Sequence, residues 1–127
     1  MGGDTGGRDR EGMRVLEPSR GEVWLVDLDP TRGHEQAGLR PALVVSDDVF
    51  NHGPAGLAVV LPLTTRARGV PLHVAVDPPE GGLRERSFVK CEDVRSLAKE
   101  RLSQRWGFVS RQTMTRVEDR LRILLQL

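Results

Sequence analysis

A chain of 127 residues, 38% of them hydrophobic, has the size of one ordinary domain and enough apolar side chains for a single core without staples. Its 19 Lys and Arg nearly cancel its 18 Asp and Glu, which excludes a strong overall field drawing in nucleic acid, so any such site is a local patch. The one cysteine, Cys91, excludes an intrachain disulfide and a Cys-rich zinc cluster and reads as a small apolar filler in a strand.

Residues 1–17, MGGDTGGRDREGMRVLE, are too rich in Gly and charge to repay the entropy of ordering, so a disordered tail is expected before a single domain over 18–127. Met13 within it is an alternative natural start. From Pro18 onward short apolar runs alternate with Gly, Pro and Asp clusters, the pattern of a small barrel or sandwich. Glu22–Leu28 is the first strand, with Trp24, Val26 and Leu28 on one face and Val23 and Leu25 on the other. Pro41–Ser46 is apolar on both faces and therefore central. Asp47 to Gly56 reads as a turn-rich loop. Leu57–Leu63 is a third strand, with Pro62 near its end, where a missing amide donor is tolerated. Leu72, Val74 and Val76 alternate with His73 and Ala75 as a half-exposed strand. Ser87–Cys91 adds another, and Arg101–Val109 includes one around Trp106–Val109. Ser110 is placed to cap a closing helix in which Met114, Val117, Leu121 and Leu124 recur at helical spacing. Ile123, Leu125 and Leu127 widen its apolar stripe, which points to a homodimer. The N-terminus lacks the apolar segment of a signal peptide, and no apolar run reaches the roughly 18 residues of a membrane span. A soluble cytoplasmic protein is expected.

The connection between the first two strands carries GHEQAGLRP, Gly33 to Pro41. Pro41 pushes Arg40 into an extended conformation and so fixes how its guanidinium leaves the backbone. If the second and third strands pair antiparallel with Ser46 opposite Ala58, Arg40 falls opposite Thr64, with Glu35 in the loop above. No Cys/His nucleophile pair, phosphate-binding Gly loop or metal-ligand spacing is present, so no metal or cofactor is expected. Chemistry on an anion remains. An arginine fork grips phosphate in two places and a Thr hydroxyl adds a hydrogen bond. RNA cleavage needs little more, because the substrate brings its own 2′-hydroxyl nucleophile.

The run RGEVWLVDLDPTRGHEQAGLRPALVVS, followed by Asn51, by VVLPLTT at Val59–Thr65, by GLRERSFVKCEDVRSL, by Arg101-Leu102 and by the closing helix, resembles the MazF/PemK/Kid toxins over residues 19–127. These are mRNA endoribonucleases of bacterial type II toxin–antitoxin systems. The resemblance implies a mainly β, SH3-like small barrel of the CcdB/MazF type with a C-terminal amphipathic helix. It further implies a homodimer, a cognate antitoxin protein, and metal-free cleavage of single-stranded RNA to a 2′,3′-cyclic phosphate and a 5′-hydroxyl. By position it puts catalytic roles on Arg40 and Thr64, with Glu35 and Gln36 in a mobile loop beside them. An arginine with a pKa above about 12 is a poor base, so Arg40 reads as phosphate clamp and proton donor, with Glu35 or a water as base.

Substrate contacts are expected from His34, Gln36, Thr65, Arg66, Arg86 and Ser87, and Arg66, Arg68, Arg84 and Arg86 are expected to line an RNA path. Asp93 stands where the family commonly has Gln and would repel phosphate. Taken singly these residues have plainer readings. Arg40 suits a solvated surface, Thr64 a strand, Glu35 an ion pair with Arg32 or Arg40, and Trp24 and Trp106 a core or interface. Two alternatives stay open: a CcdB-like, non-enzymatic gyrase binder on the same fold, and a degenerate antitoxin- or RNA-binding relative.

Overall fold

The computed structural model describes residues 17–28 and 38–127. Of the expected N-terminal tail only Glu17 is among them, exposed and 2.6 Å from Lys99 Nζ. His34, Glu35 and Gln36 also lie outside the described residues.

Among the described residues seven strands and two α-helices follow one another: β1 Glu22–Asp27, β2 Leu39–Val44, α1 Asp48–Asn51, β3 Leu57–Thr64, β4 His73–Val76, β5 Ser87–Lys90, β6 Arg95–Ala98, β7 Leu102–Phe108 and α2 Arg111–Leu125. All pairings are antiparallel. β2 lies between β1 and β3, as its two apolar faces require. β3 is long enough to serve two partners along one edge, pairing β6 through Leu57–Val60 and β5 through Leu63–Thr64. The order β6-β3-β2-β1-β7 is tied at its ends by the 3-10 turn Lys99–Arg101, which curls the sheet toward a barrel, while β4 and β5 extend it from the far half of β3.

The alternation of β1 sorts two cores. Trp24, Val26 and Leu28 pack with Ala42, Val44, Val60 and Leu102 inside the curl. Val23 packs on the other face with Leu43, Leu61, Val74, Val89 and Val117, beneath the β4–β5 hairpin and α2. Burying each such Val or Leu contributes roughly 1.5–3 kcal/mol. Ser110 caps α2 as expected, its Oγ accepting the Thr113 N–H at 3.1 Å. Glu80 adds a second clamp by accepting the Ser110 N–H at 2.8 Å. Burial opposes ionisation of Glu80, but hydrogen bonds from Thr113 and Ser110 and the nearby Arg116 outweigh it and hold the carboxyl below its ordinary value.

Three expectations need correction. The loop from Asp47 to Gly56 contains α1, a single turn capped by Asp47 and too short to show periodicity. Inside it Asn51 is fully buried and satisfied, with Nδ2 donating to the Ser46 carbonyl at 2.8 Å and to Asp48 at 3.1 Å, and Oδ1 accepting from the Ser46 hydroxyl. β6 was not expected, because Arg95-Ser96-Leu97-Ala98 shows no strong apolar alternation. Cys91 lies one residue beyond β5 rather than within it. It is fully buried, and burial, with the charge of Glu92, pushes its thiol up to about 12.

Candidate active site

The site is assembled where β2 begins and β3 ends. Ala42 lies opposite Pro62, Leu43 opposite Leu61 and Val44 opposite Val60, which is the register expected from sequence. Carried to the start of β2, it sets Arg40 opposite Thr64. On the other side of β3, Leu63 faces Val89 and Thr64 faces Phe88, so the next position brings Thr65 to Ser87. Arg40, Thr64 and Phe88 thus lie on one rung across three adjacent strands, and Thr65 and Ser87 lie on the next, drawn from segments far apart in the chain.

Side chains on these rungs are positioned by local devices. Arg40 is exposed on an extended strand whose conformation Pro41 enforces. Thr64 Oγ1 accepts the Arg66 N–H at 3.2 Å, which occupies one lone pair and leaves its O–H able to donate elsewhere. Ser87 is 3% exposed, and its hydroxyl is spent on the Glu85 carbonyl at 3.0 Å, so it shapes the loop before β5. Arg86 lies over the Phe88 ring, 5.6 Å from its centroid, and 3.6 Å from Asp77, while remaining exposed. Arg66, Arg68 and Arg84 are exposed in the segments that follow β3 and precede β5. Local cationic character exists here despite the near-zero net charge.

Asp93 is engaged rather than free. Its carboxylate forks onto Arg95 at 2.9 and 3.0 Å and lies 3.7 Å from Lys90. The repulsion expected from its charge is therefore largely offset by two cations. Trp24 is a core residue, 4% exposed, with its indole N–H on Glu22 at 2.9 Å. Trp106 is half-buried and packs against the outer core.

Beside these rungs lies a cleft of about 530 Å³ whose walls include Pro41, Thr65 and Ser87. Sequence reasoning missed most of it, because it is built from loop 82–87 and β7 pressed together. The signal was present as glycines: Gly82 has φ +70°, and a Cβ there would meet the Trp106 carbonyl oxygen at 2.2 Å, while a Cβ on Gly107 would meet Gly82 N at 2.8 Å. Only two glycines allow such an approach. Among the described residues no group of three or more His, Cys, Asp or Glu is placed to hold a metal ion, and no helix is long and apolar enough to cross a membrane.

Comparison with known proteins identifies the family and the fold. Residues 19–125 match the family model described as PemK-like, MazF-like toxin of type II toxin–antitoxin system. The chain is 37% identical over 113 residues to endoribonuclease MazF9 of Mycobacterium tuberculosis, covering 85% of this chain and 96% of that one. It is 31% identical over 109 residues to endoribonuclease EndoA of Bacillus subtilis, covering 85% and 94%. The fold superposes on a crystal structure of MazF from Deinococcus radiodurans with a TM-score of 0.79, at 30% identity, covering 89% of this chain and all of that one. It also superposes, at 0.73 and 30% identity over 87% and 96%, on a mycobacterial endoribonuclease solved in complex with its cognate antitoxin. This chain belongs to the PemK-like, MazF-like toxin family of type II toxin–antitoxin systems.

Proposed function

We propose that the chain is an endoribonuclease toxin that cleaves single-stranded mRNA without metal, with Arg40 and Thr64 gripping the scissile phosphate. Family membership and relatives named endoribonucleases support the activity. The observation that supports the assignment of residues is the β2–β3 register, which, extended two positions beyond Ala42 and Pro62, sets Arg40 opposite Thr64.

In this mechanism the 2′-hydroxyl loses its proton to Glu35 or to a water and attacks the adjacent phosphorus. The P–O5′ bond breaks, leaving a 2′,3′-cyclic phosphate, and the departing oxygen takes a proton to become a 5′-hydroxyl. The Arg40 fork stabilises charge building on the non-bridging oxygens and stands ready as proton donor, and the Thr64 O–H donates a further bond. His34, Gln36, Thr65, Arg66 and Arg86 hold the flanking RNA, and Ser87 fixes the loop beneath it. A gyrase binder has no need of the Arg40 and Thr64 pair.

The end of α2 exposes Ile123 at 67%, Leu125 at 53% and Leu127 at 84%, an apolar patch suited to a homodimer. A flexible antitoxin segment lying across the Arg40 end blocks RNA. A protein that acts on mRNA and meets its antitoxin works in the cytoplasm. Incubating a long RNA with the protein in EDTA and mapping cut ends tests the reading. Cuts at a short motif with 5′-hydroxyl termini are expected; no cutting, or cutting only with added metal, refutes it.

A further inference from the structure

The cleft beside Arg40 contains more than a phosphate grip requires. β7 departs twice from regular pairing with β1: Gly107 faces Val23 and Arg105 faces Trp24, so Trp106 is an extra residue, and Ser103 is extra between Gln104 and Leu102. Residues in a regular strand alternate between faces, yet Gln104, Arg105 and Trp106 all line this one cleft. The bulge at Trp106 accounts for that, because a bulge re-aims the side chain it carries. Pro41, Leu83 and Trp106 supply apolar walls, and Arg84, Glu85 and Gln104 bring exposed polar heads to the rim. Arg105 is committed to Glu22 at 3.2 Å, whereas no bond or ion pair holds the side chains of Glu85 or Gln104 among the described residues. An open cleft with apolar walls and convergent polar groups has the chemistry to seat a planar polar ligand.

We infer that this cleft seats one unpaired RNA base next to the scissile phosphate, stacked on Trp106, with its polar edge read by Gln104 and Glu85. The inference rests on the endoribonuclease reading and names the part of the substrate that selects the cutting site. Position favours a nucleotide over a peptide. Pro41 and Thr65, cleft walls, follow Arg40 and Thr64 in the chain and face the other side of the same strand ends, so RNA held by its phosphate there and passing over the edge carries a base into the cleft. The Glu85 carboxylate only accepts hydrogen bonds, whereas the Gln104 amide donates and accepts. A base with an exocyclic amino group satisfies both along one edge, whereas uracil offers the carboxylate a single N3–H between two carbonyl oxygens that repel it. The Ser87 bond to the Glu85 backbone presets that loop.

Short 2′-O-methyl homo-oligomers of A, C and U, which lack the nucleophile and cannot be cut, are titrated against the full chain by labelled-oligomer anisotropy and by tryptophan fluorescence. The wild type is expected to bind A or C at least about ten-fold more tightly than U, in keeping with one discriminating edge contact. Its fluorescence is expected to be quenched, and Trp106→Phe abolishes that quenching while retaining binding, since Trp24 is buried in the core. Trp106→Ala weakens binding about ten-fold, as loss of one stacked base does, and Glu85→Gln narrows the gap to U. Because Trp106 also packs on the core, Glu85→Gln and Gln104→Leu supply variants at exposed positions. A wild type that prefers U, lack of quenching, or unchanged affinity and base order in these variants overturns the inference, and oligomers that never bind favour a peptide occupant. Oligomer binding of the expected pattern by a protein that leaves unmodified RNA uncut refutes the endoribonuclease reading and leaves the base pocket standing.

Discussion

Gly82→Ala tests how the cleft wall is held. Two costs add at this position, and a second glycine separates them. At φ +70° an alanine pays about 1–2 kcal/mol in the left-handed region, partly offset by about 0.4–1 kcal/mol from a less mobile unfolded chain. Gly56, at φ +71°, carries the same conformational cost with nothing within 4 Å of a new Cβ. At Gly82 the Cβ also meets the Trp106 carbonyl oxygen at 2.2 Å and carbon at 2.7 Å. That partner is backbone, so loop and strand must separate, at an overpacking cost of about 1–3 kcal/mol. Gly56→Ala is therefore expected within about 1 kcal/mol of wild type and Gly82→Ala about 2 kcal/mol below it. With a urea m-value near 2 kcal/mol/M, the two midpoints differ by about 1 M. Equal midpoints refute the close approach of loop 82–87 to β7, and with it the origin of the cleft.

Three further outcomes follow from buried or clamped groups. Asn51→Ala strands the Ser46 carbonyl and hydroxyl, so a loss of about 2–3 kcal/mol is expected in urea unfolding. Asp48, whose carboxyl accepts the Arg20 N–H as the main cause, with Asn51, His52 and Arg20 adding and burial opposing, is held below its ordinary value, as is Glu80. A lowered folded pKa gives stability that is complete above the unfolded value and lost as pH falls through the folded one, so midpoints should drop below about pH 4. Glu80→Gln should flatten part of that acid limb. Cys91, raised to about 12, stays a buried thiol and should resist iodoacetamide at about pH 8 until the chain unfolds, read by intact mass. Fast native alkylation contradicts its placement.

What was legible in the sequence was what depends on local pattern. The alternation around Trp24, Val26 and Leu28 placed one core, the doubly apolar Ala42–Val45 run placed the central strand, and one assumed pairing put Arg40 by Thr64. Ser110 announced the start of α2. What was hidden depends on partners. Ser103 and Trp106 are extra residues only relative to β1, and β6 is a strand because β3 offers it an edge. The cleft joins Pro41, Glu85 and Gln104 across three segments, so no window contains it. Gly81-Gly82 and Trp106-Gly107 were the available signal, since paired glycines mark a close backbone approach.

The central claim is that the Arg40 guanidinium forks the scissile phosphate. A lysine keeps the charge and loses the planar two-point grip. The deciding measurement is the single-turnover rate of RNA cleavage in EDTA by wild type and Arg40→Lys, with equal urea midpoints confirming that both are folded. A fall of about a hundred-fold or more is predicted, the size of losing one preorganised donor; cleavage at the wild-type rate would contradict the account.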